Sequence, residues 1–362
     1  IEKFWRKVMK TITVLAFFIL ISPLLFIHSA FAYHVSLLMP NQDEDRWYDE
    51  GKKLQQLFYE NEFDVDLFYA GEADAKLQDK QVRRVVDAGT DLIIIGPADS
   101  NKLASAIDYA HKNGVKVVSY DRLVLNTPNI DYYVTYNNKR IGALQAKYLV
   151  EALNLESGAT KTIEFFHGSQ EDNNSRYYYK GAMEVLQPYI NNGTLLVRSG
   201  EIKPDDISVD SWHKDSALKR MEHIMNKAGY GPGDNRLDAV LSPTDTISKA
   251  VIQVLKQHGY CDENMPVITG QDGRLDALTA IKSREQAMTI YKEKERLCYE
   301  ALYIAQCLKN NQYVKYNDAV TYHNGIRALD SLVIEPASVV DRYNVASFMM
   351  VRQLFGNQFA SL

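Results

Sequence analysis

The chain repeats one pattern along its length, a short apolar run followed by an amphipathic stretch long enough for a helix. In the first set, the apolar runs that predict strands lie at 34–39, 64–69, 91–95, 115–120 and 132–136. The stretches that predict helices between them lie at 46–61, 76–88 and 101–113. Alternation of this kind predicts right-handed βαβ units and a parallel sheet that is covered by helices on both faces.

The same alternation begins again near residue 162. Predicted strands lie at 162–166, 194–199, 238–242, 266–270 and 287–291, and predicted helices at 174–191, 214–228, 245–258 and 274–283. Two successive sets predict an α/β protein with two similar doubly wound domains, which agrees with a length of 362 residues. No low-complexity linker separates the sets, so we expect a short hinge of several strands.

Residues 1–32 have the composition of an export signal rather than of the fold. Lys7 and Lys10 precede the apolar run TITVLAFFILISPLLFI, and the small-residue sequence AFA follows at the end of the segment. We expect translation to start at Met9 and cleavage to follow the last alanine of AFA, which places the mature protein in the periplasm. A retained transmembrane anchor is the alternative, but a proline interrupts the apolar run.

Composition and motifs exclude several classes of protein. A net charge of −5 and a pI near 6.0 argue against a nucleic-acid partner. The three cysteines are an odd number, and Cys298 and Cys307 point to opposite faces of one predicted helix, so no disulfide framework is expected. No nucleophile elbow, Walker A loop or dinucleotide fingerprint is present, and no histidine pair has metal-ligand spacing. We therefore expect no enzyme, cofactor or metal, although a glycosidase-type pair of carboxylates stays open.

Polar and aromatic residues that could contact a ligand cluster after the predicted strands. They are Arg46, Trp47, Asp121, Arg122, Asp172, Asn173, Asn174, Asp245, Asp272 and Lys292, together with Trp212 in a polar loop. Each alone is explained by a helix cap or a surface charge. Together they indicate a sugar site, because ligands bind doubly wound sheets at the carboxyl ends of the strands. Acids, amides and arginines saturate hydroxyl groups, and aromatic planes cover the ring.

Seven motifs give the mature chain a resemblance to a known family over nearly its whole length. They are DRWYDEG (45–51), VVSYDRLV (117–124), NNKRIGALQA (137–146), GSQEDNNS (168–175), LSPTD (241–245), TGQDG (269–273) and TIYK (289–292). In order and spacing they resemble the periplasmic D-xylose-binding and multiple-monosaccharide-binding proteins of ABC transporters. The resemblance implies that the residues named above contact the sugar. Two departures are TYNN, where relatives have Phe-Asp-Asn, and SPTD, which is closer to the broad-specificity members.

The resemblance also implies a type I periplasmic binding protein, with two domains joined by a three-strand hinge. We expect an N-terminal domain at 33–138 plus 293–322 and a C-terminal domain at 139–292 plus 323–362. Closure is expected to bury the sugar between Trp47 and Trp212. Asp121 and Arg122 are expected to hold pyranose hydroxyls, each partly neutralising the other.

The implied function is capture of a monosaccharide, xylose or a related aldopyranose, by a monomer that delivers it to an ABC permease and its ATPase. One alternative is a receptor subunit that presents sugar to a chemoreceptor or sensor kinase, and another is a secreted sugar-processing enzyme. A repressor with the same core is disfavoured, since an export signal stands where a DNA-binding helix-turn-helix would be.

Overall fold

The first lobe is built on one sheet of six parallel strands in the order β11-β5-β4-β3-β1-β2. The structure is a computed structural model that describes residues 33–42, 45–261, 263–336 and 338–355. The strands are β1 (His34–Met39), β2 (Asp64–Tyr69), β3 (Leu92–Ile95), β4 (Lys116–Tyr120), β5 (Tyr132–Tyr136) and β11 (Ser331–Ile334). The helices of this lobe are α1 (Asp45–Glu60), α2 (Ala75–Asp87), α3 (Ala104–Lys112) and α10 (Lys294–Lys309).

The second lobe repeats this strand order over a smaller sheet. Its strands are β6 (Lys161–Phe165), β7 (Leu195–Leu196), β8 (Ala239–Leu241), β9 (Val267–Ile268), β10 (Met288–Tyr291) and β12 (Ser338–Asp341). Its helices are α4 (Asn138–Ala152), α5 (Asn173–Asn191), α6 (Pro204–Ile207), α7 (Lys214–Ala228), α8 (Asp245–Gln257), α9 (Leu275–Lys282) and α11 (Val345–Phe355). Four parallel strands lie in the order β7-β6-β8-β9, while β10 pairs antiparallel with β12. The predicted pair of doubly wound domains is therefore confirmed.

The central strands are rich in apolar residues because helices cover both faces of each sheet. Every residue of β3 is fully buried. Its Ile94 pairs in parallel register with Leu37 of β1 on one side and Val118 of β4 on the other. Burial of such runs is the main source of stability.

Two glycines allow α4 and α5 of the second lobe to touch along their backbones. A Cβ on Gly142 would lie 1.9 Å from the Tyr178 carbonyl oxygen, and one on Gly181 would lie 1.8 Å from the Lys139 carbonyl oxygen. Only glycine fits at such a crossing. The contact holds the first turns of α5, including Tyr178, at the edge of the second lobe that faces the first.

The chain passes between the lobes three times, and the third passage differs from the prediction. The first two passages follow β5 and β10, at Asn137 and after Tyr291. The predicted third boundary at 323 is wrong, because β11 pairs in parallel with β5 and keeps the chain in the first lobe through Ile334. Tyr322 holds this segment by donating to the Tyr136 carbonyl oxygen at 2.7 Å.

All three cysteines are free, and Cys298 and Cys307 are buried on α10. The predicted export signal lies outside the described residues. Within the described ranges, no helix combines the length and the apolar character that crossing a membrane requires.

Candidate functional site

A cavity of about 230 Å³ lies between the lobes, at the carboxyl ends of both sets of strands. Eight of the residues predicted from the sequence line it: Arg46, Trp47, Asp121, Arg122, Asp172, Trp212, Asp272 and Lys292. We call these eight residues the cavity wall. Apart from Trp212, they come from the starts of helices and from loops that follow strands, which is where the alternating pattern places ligand contacts.

Arg46 begins the first-lobe side of the wall at the start of α1. Its Nε donates to Glu50 at 2.8 Å, and its Nη2 lies 3.1 Å from Asp121 Oδ2. Burial alone would lower the pKa of Arg46, but the carboxylates of Asp121 and Glu50 raise it well above its usual value. The guanidinium is thus a fixed charge on the wall.

Asp121 and Arg122 do not neutralise each other, contrary to the prediction. Asp121 pairs with Arg46, whereas Arg122 Nε lies 3.1 Å from Asp172 Oδ2 of the second lobe. Asp121 has a left-handed backbone with φ of 58°. Its carbonyl oxygen accepts hydrogen bonds from the Tyr133 hydroxyl at 2.7 Å and from two further side chains. These bonds hold the strained turn in place. In the side chain, Asp121 Oδ1 has no hydrogen-bond partner.

Trp47 is an anchored part of the wall, only 1% exposed. The guanidinium carbons of Arg46 and Arg122 lie 4.8 and 5.2 Å from its ring centre. Both distances are within the range of cation–π attraction. Trp47 therefore orients the two arginines as well as bordering the cavity.

Trp212 forms the aromatic side of the second-lobe wall and sits on a strained turn. Ser211 and Trp212 have φ angles of 47° and 62°, both in the left-handed region. The ring fits against Gly168, where a Cβ would lie 2.0 Å from its Cη2 atom, and meets Tyr178 edge-on at 6.4 Å. Its Nε1 is buried and has no hydrogen-bond partner.

Asp272 and Lys292 form an ion pair on the same side, 2.9 Å apart, in which Lys292 is fully buried and Asp272 mostly so. Burial alone would raise the pKa of Asp272, but the charges of Lys292 and Arg46 lower it to about 2. Burial and Arg46 oppose protonation of Lys292, yet Asp272 raises the pKa of that lysine above its usual value. Its ammonium also lies 5.3 Å from the ring centre of Tyr136 at the first passage between the lobes.

Asp172 shows that the carboxylates of the wall are not all shifted in one direction. It caps α5 by accepting the Asn174 N–H at 2.9 Å. Burial raises the pKa of Asp172 even though Arg122 opposes the shift. Nearby cations therefore lower the pKa of Asp272 overall, whereas at Asp172 the effect of burial is larger than that of Arg122.

Three predicted residues lie behind the wall and do not line the cavity: Asn173, Asn174 and Asp245. Asn173 Oδ1 accepts the Leu123 N–H at 2.7 Å, and Asn174 Nδ2 donates to the Asp121 carbonyl oxygen at 3.0 Å. Both bonds join the lobes. We call these three residues the backing layer.

Asp245 is the most heavily bonded member of the backing layer. Its carboxylate accepts from Gln286 Nε2 at 2.9 Å, from Thr289 Oγ1 at 3.0 Å and from the Arg274 N–H at 2.9 Å. Burial and the charge of Asp272 raise the pKa of Asp245 to about 7. All three of its partners are donors from the protein itself.

Six further residues line the cavity: Tyr178, Thr244, Thr246, Gln271, Arg274 and Lys294. Gln271 directly precedes Asp272, so its strand-end position was the signal that could have found it. Tyr178 follows Asn174 by one helical turn, and that spacing places both on one face of α5. Lys294 is the first residue of α10, and the sequence pattern does not predict where that helix begins.

The chemistry of the cavity is that of polar recognition. Buried atoms without hydrogen-bond partners include the acceptors Asp121 Oδ1 and Gln271 Oε1 and the donor Trp212 Nε1. Among the residues that the structure describes, no group of three or more His, Cys, Asp or Glu side chains could hold a metal ion. The arrangement suits a small ligand that both donates and accepts hydrogen bonds.

Comparison with known proteins agrees with this geometry. The family model of the periplasmic binding protein domain matches residues 35–312. The multiple sugar-binding periplasmic protein SbpA of Azospirillum brasilense is 37% identical over 308 residues, which are 84% of this chain and 85% of that protein. The multiple sugar-binding periplasmic receptor ChvE of Rhizobium radiobacter is 34% identical over 337 residues, 91% of this chain and 94% of that one.

A solved structure is similar as well. The solute-binding protein of an ABC transporter from Clostridium phytofermentans, with bound β-D-glucose, superimposes with a TM-score of 0.83 and 29% identity. The match covers 90% of this chain and 97% of that one. By sequence and by fold, the chain belongs to the family of periplasmic binding proteins, with the type I arrangement of two doubly wound lobes.

Proposed function

We propose that the protein captures a monosaccharide, xylose or a related aldopyranose, in the cavity between its lobes and delivers it to the permease of an ABC importer. The observation that carries the proposal is the set of buried, unpaired polar atoms in residues that line the cavity, namely Asp121 Oδ1, Gln271 Oε1 and Trp212 Nε1. Buried polar atoms are costly unless they are hydrogen-bonded. Sugar hydroxyls would satisfy both the acceptors and the donor.

The size and shape of the cavity favour a single sugar ring. A volume of about 230 Å³ is below the roughly 300–1,000 Å³ of pockets for drug-sized ligands. The rings of Trp212 and Tyr178 give the wall an aromatic side that suits the C–H faces of a pyranose. We propose the eight residues of the cavity wall as the ligand contacts.

The relatives support the ligand class and the partner. SbpA and ChvE are named as multiple sugar-binding proteins, and the Clostridium phytofermentans protein is an ABC transporter component with bound glucose. A D-xylose-binding periplasmic protein of Escherichia coli is 31% identical over 262 residues, 72% of this chain and 73% of that one. Release into a permease requires an open state, so the bonds between the lobes must break.

Two of those bonds lie next to the cavity wall, because Leu123 follows Arg122 and both Glu171 and Asn173 flank Asp172. The Ser100 N–H donates to the Glu171 carbonyl oxygen at 2.8 Å, and the Leu123 N–H donates to Asn173 Oδ1 at 2.7 Å. Each crosses from the first lobe to the second. We propose that this is the closed arrangement and that bound sugar favours it over an open one.

The periplasm is the proposed location, as it is for the relatives. Sequencing the N-terminus of the protein isolated from its host should find a chain that begins at or near Tyr33. Recovery of the uncleaved chain from membranes would contradict cleavage of residues 1–32.

The ligand proposal is tested by a thermal-shift screen of monosaccharides, amino acids and short peptides, followed by calorimetry on the hits. A ligand that binds only the native state raises the melting temperature. We expect at least one monosaccharide to bind and to be recovered chemically unchanged. Binding of amino acids or peptides instead would overturn the proposal, and turnover of the sugar would indicate an enzyme.

A further inference from the structure

The lining of the cavity contains more cations than carboxylates. Its cations are Arg46, Arg122, Arg274, Lys292 and Lys294, and its carboxylates are Asp121, Asp172 and Asp272. A neutral sugar requires no such excess. The question is which cation lacks a carboxylate of its own.

Four of the five cations each form an ion pair with a carboxylate. The pairs on the wall are Arg46 with Asp121 at 3.1 Å, Arg122 with Asp172 at 3.1 Å, and Lys292 with Asp272 at 2.9 Å. Outside the wall, Arg274 Nε lies 3.2 Å from Asp276 Oδ1. Lys294 forms no ion pair and no side-chain hydrogen bond with any residue that the structure describes.

The position of Lys294 is unfavourable for a cation in two further ways. It is the first residue of α10, a helix of 16 residues, and the start of a helix carries a partial positive charge that repels cations. It is also partly buried, and burial lowers the pKa of Lys294, with Glu50 opposing and Arg46 adding to the effect. The nearby Glu50 carboxylate is already bonded to Arg46 and to the Tyr120 hydroxyl. The fold thus holds an unpaired cation beside the ligand at an electrostatic cost.

We propose that Lys294 is a specificity-determining residue and that the cavity prefers a monosaccharide that carries one carboxylate, a hexuronate, over its neutral counterpart. The inference rests on the proposed function and names the substrate class of the same site. One unpaired ammonium calls for one negative charge, so a carboxylate fits better than a doubly charged phosphate. A carboxylate also adds little volume to the hydroxymethyl group that it replaces, which suits a small cavity.

The energetic reason is charge pairing in a site with little water. A hydrogen bond between an ammonium and a carboxylate is stronger than one between an ammonium and a neutral oxygen. The difference grows as the surroundings become less polar. Binding of an anion would also offset the cost of holding Lys294 at the helix start.

The test compares acids with amides of the same shape by calorimetry. Glucuronate is paired with glucuronamide and galacturonate with galacturonamide, so that each pair differs only in charge. We expect at least one acid to bind about tenfold or more tightly than its amide, the scale of a hydrogen bond to a charged group. In Lys294→Met this affinity ratio should fall about tenfold, toward one.

A matched control is Lys53→Met. It removes a lysine of α1 whose ammonium lies 2.9 Å from the carboxylate of Glu295, the residue that follows Lys294 on α10. Lys53 does not line the cavity, so the ratio should stay at its wild-type value. Thermal unfolding of the ligand-free variants shows whether each one folds.

Two results would overturn the inference. One is binding of glucose, galactose or xylose with no preference for either acid over its amide, which leaves the proposed function standing. The other is a preference for the acid that Lys294→Met leaves unchanged. If no monosaccharide of any kind binds, the proposed function itself is wrong and the inference falls with it.

Discussion

The cavity wall and the backing layer are built from the same kinds of residue, yet they differ in what bonds to them. Asp272 of the wall is mostly buried and Asp245 of the backing layer is fully buried, and both follow a strand of the second lobe. Asp272 faces two cations and has a pKa lowered to about 2, after the opposing effect of burial. Asp245 accepts only from neutral donors, and burial raises its pKa to about 7.

The difference separates residues that are free to contact a ligand from residues that hold the site together. A carboxylate such as Asp272, whose pKa is lowered by neighbouring cations, stays charged and can keep an oxygen available to the cavity. A carboxylate whose oxygens are all used by the protein can only position its neighbours. Position after a strand brings residues to the site, and the partners of each residue decide its role.

We expect the largest effect on sugar affinity at Arg122, a residue of the first lobe that pairs with Asp172 of the second lobe. Arg122→Ala removes the partner of Asp172 and leaves that buried carboxylate unpaired, at a cost of about 2–5 kcal/mol in a closed site. Sugar affinity should therefore fall about 30-fold or more by calorimetry. Arg122→Lys should recover little, because an ammonium lacks the planar, two-pronged donor geometry of a guanidinium.

Arg83→Ala is the control for Arg122, since Arg83 pairs with Asp79 on the outer surface of α2. Its affinity for sugar should match the wild type. If Arg122→Ala instead loses much of its ligand-free stability but keeps the wild-type affinity, then Arg122 supports the site as the backing layer does and does not contact the ligand.

Asp245→Asn tests the backing layer through pH. The pKa of Asp245 rises from an ordinary 3.8 to about 7, chiefly because it is buried. Between these values the folded protein holds a proton that the unfolded chain has released, so the free energy of unfolding falls as pH rises from about 4 to 7. Asparagine cannot ionise, so stability of the variant relative to wild type should increase over that range by ~4 kcal/mol, at about 1.36 kcal/mol per pKa unit.

Denaturant unfolding at several pH values between 4 and 8 measures this difference. The variant also loses hydrogen-bond acceptors, but that loss is the same at every pH and only offsets the curve. Parallel curves for the two proteins would show that Asp245 is ionised in the folded state throughout. Affinity for sugar should change less than in Arg122→Ala, because Asp245 does not line the cavity.

The alternation of apolar and amphipathic segments predicts much of the fold. Buried strands such as β3 are continuous apolar runs, and the predicted β1, β2 and β5 agree with the structure residue by residue. For the third passage between the lobes, the predicted position at 323 is too early in the chain. It depends on the pairing of β11 with β5, which lies nearly 200 residues away and leaves no local signal in the sequence.

The sequence predicts which positions form the site but not which residues pair with one another there. Strand-end position and family motifs together named eight residues of the wall. Neither distinguishes Asn174, whose amide joins the lobes, from Asp172, whose carboxylate borders the cavity. The exchange of partners between Asp121 and Arg122 arises because the two residues meet Arg46 and Asp172 only in the folded protein.

Trp212 provides the last and smallest test of the comparison, because a ring on the wall and a ring in the core respond differently to truncation. Trp212→Ala should weaken sugar binding by about 1–3 kcal/mol, the scale of a buried aromatic contact, while unfolding stays cooperative. The left-handed backbone at φ of 62° is as strained for alanine as for tryptophan, so the substitution does not relieve it.

Trp212→Phe separates the two contributions of the indole. Phenylalanine keeps an aromatic plane against the ligand but removes the Nε1 donor, which has no partner in the protein. Its affinity should lie between wild type and Trp212→Ala, with a loss of about 0.5–1.5 kcal/mol for the missing hydrogen bond. If both variants bind sugar as tightly as wild type but unfold at lower denaturant concentration, Trp212 supports the loop and belongs with the backing layer. If only the alanine variant weakens binding, the ring face alone contacts the ligand, and the unpaired indole N–H is not what selects it.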